Sequence, residues 1–330
     1  MRLKYPDQEY SESNPYVFAT WDEFAEIDSI PATGNVVYFE GDTTGIYADK
    51  SKRVIDLNDT HPEGFENSIV YNGGGSKILR LNGNGWTIRN FVSLAQFAFQ
   101  FLNLYDTNII RNLNFLNCYH NTVENKLKPG VFIWQTWRYS NQNHGLQLIN
   151  CKFSLLINAY DSDYGSVIRG KCTKELKTNL CSFNIKFFNK MTNTCRVFED
   201  YMTNCNVKIK CFKNEDVIDS SIQNNCNFVN CKFYLDFKST SSNSSLVWKF
   251  CQAEGNTSAF NNCYIDGKYE NINEKLLVES RNISNISIIN STHLNVPDKT
   301  LTNFTPLTNE QCISEEYLDS IGFPVIIEGD

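Results

Sequence analysis

Apolar and polar residues alternate in short runs along most of the chain. Val36-Val37-Tyr38-Phe39-Glu40-Gly41, Val54-Ile55-Asp56-Leu57-Asn58, Ser68-Ile69-Val70-Tyr71 and Lys77-Ile78-Leu79-Arg80-Leu81 each predict a strand. Gly73-Gly74-Gly75 and Asn82-Gly83-Asn84-Gly85 are the turn signals between or after them. Trp86–Asn90 and Asn108–Phe115 continue the alternation. Helical spacing is scarce. Thr20-Trp21-Asp22-Glu23 has the form of a capping box and predicts a short amphipathic helix through Phe24 and Ile27. Thr308-Asn309-Glu310-Gln311 predicts a second, through Cys312, Tyr317 and Leu318.

The second half repeats a phrase. Asn117-Cys118-Tyr119, Asn150-Cys151-Lys152-Phe153, Asn204-Cys205-Asn206-Val207, Asn230-Cys231-Lys232-Phe233 and Asn262-Cys263-Tyr264-Ile265 share it, and Cys181-Ser182-Phe183 is a looser copy. The steps between these cysteines are 33, 30, 24, 26 and 32 residues, and Ile283–Asn290 repeats the pattern without cysteine. Self-similarity at this period predicts a repeat architecture. Alternation inside each unit selects strands over helices, and the irregular lengths disfavour a propeller.

The expected fold is therefore all-β: a right-handed parallel β-helix, or solenoid, of about ten coils stacked at about 4.8 Å, some 50 Å long. Like residues then lie over like, with the cysteines in an interior column and asparagine at the bend before each. Asparagine suits that bend because it tolerates the left-handed conformation. The expected organisation is an N-terminal segment and capping helix over 1–49, the solenoid over 50–296 and a C-terminal cap over 297–330. Short capping helices at both ends would cover the open edges that a solenoid leaves.

Composition narrows the function. With 41% hydrophobic residues in 330, the chain can build a core, and a net charge of -7 argues against a nucleic-acid binder. No apolar run approaches the roughly 18 residues of a membrane span. The N-terminus lacks the apolar stretch of a secretory signal, so folding in a cytosol is expected. The twelve cysteines contain no C-x-x-C pair, and His61, His120, His144 and His293 stand apart from one another. Neither a disulfide framework, nor a metal site, nor a cofactor is predicted. Cys118, Cys151, Cys181, Cys205, Cys231 and Cys263 are expected as buried structural thiols.

Some stretches resemble a known family. Ile55-Asp56-Leu57-Asn58-Asp59 with Lys77–Asn90 resembles the opening coils of pectate-lyase-like β-helix proteins. Asn112–Cys118 resembles their repeating coil, and Tyr317–Pro324 resembles the endings of such chains in tailed bacteriophages. The resemblance implies a structural virion component, a tail spike, fibre or capsid/tail appendage, without catalysis and acting in host-surface attachment or assembly. It implies a virion location after assembly in the host cytoplasm. The partners implied are other virion proteins, further copies in a homotrimer, and a host cell-surface glycan. Two alternatives stay open: a polysaccharide depolymerase spike (glycoside hydrolase or lyase), and a bacterial surface adhesin, which the missing export signal disfavours.

The polygalacturonase set N-T-D, D-D, G-H-G, R-I-K and the pectate lyase R-x-P-x-x-R are absent from the sequence. Were the chain an enzyme, Asp161 and Glu215 would be its carboxylates. Each lies ten residues after a repeat cysteine, Cys151 and Cys205. Register would place them in one column about 10 Å apart, near the 6.5–9.5 Å of inverting glycosidases. Arg169, with Asp163, could join them and stabilise an anion. The other candidate is Phe132–Tyr139, where alternation puts Trp134 and Arg138 on one face, Trp137 and Tyr139 on the other. These four are candidate binding residues for a protein or a glycan, against the alternative that one face fills the core.

Overall fold

The computed structural model describes residues 1–121, 131–137, 145–158, 166–169, 177–188, 201–213, 227–239, 247–253, 258–261, 263–270, 274–280, 286–289, 291–294 and 304–306. The protein is all-β. Among the described residues the helices are Trp21–Ala25 and the 3-10 turns Ile27–Ser29, Gly45–Ala48 and Lys50–Lys52. The strands among the described residues form sheets of 20, 4 and 2 members. Among these residues no helix is long and apolar enough to cross a membrane.

Apart from Arg2–Leu3, which runs antiparallel to Tyr16–Phe18, the paired strands run parallel. In the large sheet Tyr16–Phe18 pairs with Val36–Gly41, that strand with Ile78–Arg89, and Ile78–Arg89 with Thr107–Asn121. From there each unit offers two strands, as in Gly145–Ile149 and Lys152–Asn158, and each pairs with its equivalent in the next unit. The pairing crosses both edges of the interval 50–296: it begins at Tyr16–Phe18 and reaches Phe304–Pro306.

Register stacks like on like. Phe115, Phe153, Phe183, Val207, Phe233 and Ile265 face one another in succession. The rings of Phe153 and Phe183 are parallel to within 4° at 4.9 Å, those of Phe115 and Phe153 to within 10° at 5.6 Å. Period-2 alternation is the cause: Phe153, Leu155 and Ile157 are buried while Lys152 is exposed and Ser154 and Leu156 are half-buried.

Between the two strands of a unit the chain bends through asparagine. Asn112, Asn150, Asn204 and Asn230 all have φ between 51° and 53°, and their amides link successive units. Asn112 donates to Asn82 at 2.9 Å, Asn150 to Asn112 at 2.8 Å, and Asn230 to Asn204 at 3.2 Å. The looser phrase breaks this ladder. Leu180 takes the bend with φ 54° and is exposed, so Asn204 donates to Asn179 instead, at 3.0 Å. A leucine in the left-handed region is strained by about 1–2 kcal/mol. Leu180→Asn is therefore expected to raise unfolding stability by about 1 kcal/mol, read as a higher urea midpoint; a lower midpoint contradicts the assignment.

The cysteine after each bend points inward. Cys151, Cys181, Cys205, Cys231 and Cys263 are at most 1% exposed. Each of the middle three sulfurs lies against the carbonyl two residues before it, at 3.4, 3.2 and 3.3 Å for Cys181, Cys205 and Cys231. The Cys205, Cys231 and Cys263 sulfurs also reach a carbonyl of the preceding unit, on Thr178, Met202 and Phe228, each at 3.5 Å. One expected member stands apart. Lys152 pairs with Asn114, which sets Cys151 beside Leu113, whereas Cys118 faces Leu155. Cys118 is buried, but it follows a second left-handed residue, Asn117, within the same strand. Leu113 and Trp86 continue the column instead, since any apolar side chain can fill that position.

Two local predictions differ in outcome. Thr20 and Glu23 form the capping box: the Thr20 hydroxyl accepts from Glu23 N–H at 3.3 Å, and the Glu23 carboxylate from Thr20 N–H at 3.2 Å. Trp21 and Phe24 then bury against Phe18, Phe65 and Phe91. The glycine-rich Asn82–Gly85, expected as a turn, lies inside the continuous strand Ile78–Arg89, at a register shift. Gly83 permits this close approach. A Cβ there would lie 2.5 Å from the Asn112 carbonyl oxygen and 2.7 Å from the Leu113 Cα.

Candidate functional site

The outward residues of the first three long strands build a groove. Tyr38 and Glu40 face Arg80 and Asn82 in register, and these face Ile109 and Arg111. Their sequence neighbours Val37, Phe39, Leu79, Leu81 and Ile110 are buried, so alternation alone sends this set outward. Glu12 and Pro15, on the segment before Tyr16–Phe18, form a wall, and the enclosed volume is about 390 Å³. Ligand sites of proteins commonly have several hundred Å³.

The groove is held in place from behind. The Tyr10 hydroxyl accepts from the Tyr38 N–H at 2.6 Å. The buried Asn14 amide donates to the carbonyls of Tyr5, Gln8 and Glu9 at 3.0, 3.0 and 3.1 Å, shaping the wall. Arg80 donates to the carbonyls of Leu79, at 3.1 Å, and Thr107. Lys4 donates to Glu40 at 2.8 Å, and this bond raises the ammonium pKa above its ordinary value. The Arg111 side chain is exposed and makes no hydrogen bond or ion pair with the described residues. Glu12 lies at the surface and Glu40 is tied to Lys4. The arrangement is suited to binding.

The residues expected from the sequence stand elsewhere. Trp134 is half-buried on Val131–Trp137, its ring stacked on Phe97 at 4.9 Å and 25°. Its strand pairs with Phe97–Leu104 and with Ser166–Arg169, so that Trp134 and Arg169 are backbone partners. The side chains of Trp137 and Arg169 lie outside the described residues, as do Arg138, Tyr139, Asp161, Asp163 and Glu215. The C-terminal helix at Thr308 lies outside them too. The groove residues were missed because each looks like a lone surface charge in the sequence. The readable signal was Leu79-Arg80-Leu81 recurring as Ile110-Arg111-Asn112, an outward arginine in consecutive units.

Among the described residues no group of three or more His, Cys, Asp or Glu could hold a metal ion. The six cysteines whose side chains are described, Cys118, Cys151, Cys181, Cys205, Cys231 and Cys263, are free thiols. Burial pushes Cys118 up to about 12, and burial with the adjacent sulfurs of Cys181 and Cys231 raises Cys205 as well. The thiolate is the reactive form. All six are at most 1% exposed, out of reach of a reagent, so native protein is expected to leave them unreacted with a disulfide reagent near pH 8, while denaturation without reductant exposes them. Equal native and denatured counts contradict this.

No protein-family model matches the chain, and no curated protein matches it. Among solved structures, a putative immunoglobulin A1 protease from Bacteroides ovatus aligns over 84% of this chain and 85% of its own, with 14% identity and a TM-score of 0.45.

Proposed function

We propose that the chain winds as a right-handed parallel β-helix and serves as a structural, non-enzymatic component of a tailed-phage virion. It would be a tail spike, fibre or capsid/tail appendage that contacts the host surface. The observation that supports this reading is the parallel register in which Phe153, Phe183, Val207 and Phe233 succeed one another. A stack so paired has backbone hydrogen bonds along its length and a continuous apolar interior, the properties of a stiff rod. The virion role is supported by the resemblance of Tyr317–Pro324 to the endings of β-helix chains in tailed bacteriophages, and the fold by that of Asn112–Cys118 to the repeating coil of pectate-lyase-like proteins. Purified particles, probed by mass spectrometry and immunogold labelling, should carry the chain at a fixed site. Its absence from particles, with the chain remaining on the cell, favours the adhesin. Release of reducing ends from capsular polysaccharide by the isolated chain favours the depolymerase.

A further inference from the structure

Three cations, Lys4, Arg80 and Arg111, face two carboxylates, Glu12 and Glu40, in and behind the groove between the wall and the outer sheet face. The excess is one positive charge, and it resides at Arg111, the group with no partner among the described residues. A guanidinium presents paired donors that match a carboxylate. A dianion such as phosphate meets repulsion from Glu12 and Glu40. Hydroxyl groups do not, since the carboxylates accept their protons. Val36, Tyr38 and Ile109 add apolar surface for the C–H face of a ring. Arg80 is already fixed by two carbonyls, Glu40 by Lys4 and the Tyr38 backbone by Tyr10, so the ordering on binding falls mainly on Arg111.

From this geometry we infer that the groove binds a monoanionic sugar, a hexuronic or nonulosonic acid unit, with its carboxylate on Arg111 and its hydroxyls on Glu12 and Glu40. The inference rests on the proposed attachment role and names the chemical class of glycan it would contact. It differs from the aromatic segment Phe132–Tyr139 as a binding site, because charge rather than stacking would set the selectivity.

Saturation-transfer NMR on the full chain tests it, with methyl glucuronoside, methyl sialoside and methyl glucoside as probes and inorganic phosphate as competitor. At least one acidic sugar is expected to bind about tenfold more tightly than the glucoside, and Arg111→Ala to lose about tenfold while Arg111→Lys recovers part of it. Which acidic sugar binds distinguishes the two sources of the carboxylate. Arg111 is exposed, so Arg111→Ala should keep the native unfolding midpoint. Equal binding of acidic and neutral sugars, displacement by equimolar phosphate, an unchanged Arg111→Ala, or no binding at all overturns the inference. Those results leave the particle location standing, and a chain missing from particles would not alter binding measured on the isolated protein.

Discussion

Phe183→Ala is expected to destabilise the protein by about 3–5 kcal/mol, the usual cost of deleting a buried phenylalanine. Phe183 is 1% exposed and lies in register between Phe153 and Val207. Its ring stacks on Phe153 at 4.9 Å, so the missing volume opens between two units and neither strand can close it without losing its own register. The neighbouring Asn184 is exposed on the opposite face. Asn184→Ala should change stability by no more than about 0.5 kcal/mol. Urea unfolding of both variants reads the contrast. Equal losses at 183 and 184 would mean that the alternation of faces is misassigned.

Acidification should produce the second large effect, through His120. The ring is 1% exposed, neither nitrogen has a hydrogen-bond partner among the described residues, and Ser93 and Ile157 flank it in register. Burial lowers its pKa to about 4 from 6.5, and the nearby Gln96 backbone offsets only part of this. Because the folded value is depressed, the unfolded chain binds the proton more readily between these values. Stability from this residue is complete above about pH 6.5 and is lost as the pH falls toward 4, in total about 3 kcal/mol. His120→Leu should remove that part of the pH slope and cost little near pH 7, since neither ring nitrogen makes a well-formed hydrogen bond to a described residue. Urea midpoints between pH 7 and 4.5 compare the two proteins; identical slopes contradict the assignment.

Much of the fold was legible because its rule is local. Alternation gave the strands around Val36, Val54 and Lys77, and the Asn-Cys phrase marked the bends at Asn150, Asn204 and Asn230, where asparagine relieves a left-handed backbone. The same rule misled at Cys118. Its phrase is complete, but register depends on the strand next door, and a bulge at Asn117 sets it beside Leu155. Asn82–Gly85 misled for a related reason: a glycine needed for close approach between strands has the same letters as a turn.

The groove was not legible. Glu12, Glu40, Arg80 and Arg111 span a hundred residues, and only the pairing of Val36–Gly41, Ile78–Arg89 and Thr107–Asn121 sets them side by side. In the aromatic segment the half-buried Trp134 stacks on Phe97, while Arg138, Tyr139 and the Trp137 side chain lie outside the described residues. An aromatic residue's bulk is visible in a sequence, but the partner that covers it is not.

The central claim, that successive units stack with matching residues over one another, is open to one direct measurement. A sulfur anomalous difference map from crystals of the native protein locates the thiols without reference to any other feature of the fold. The sulfurs of Cys151, Cys181, Cys205, Cys231 and Cys263 should fall in a single interior file at steps of about 4.8 Å, the spacing of paired strands, with Cys118 beside it. Sulfurs dispersed through separate regions, or joined in disulfides, would contradict the stacking and the rod proposed from it.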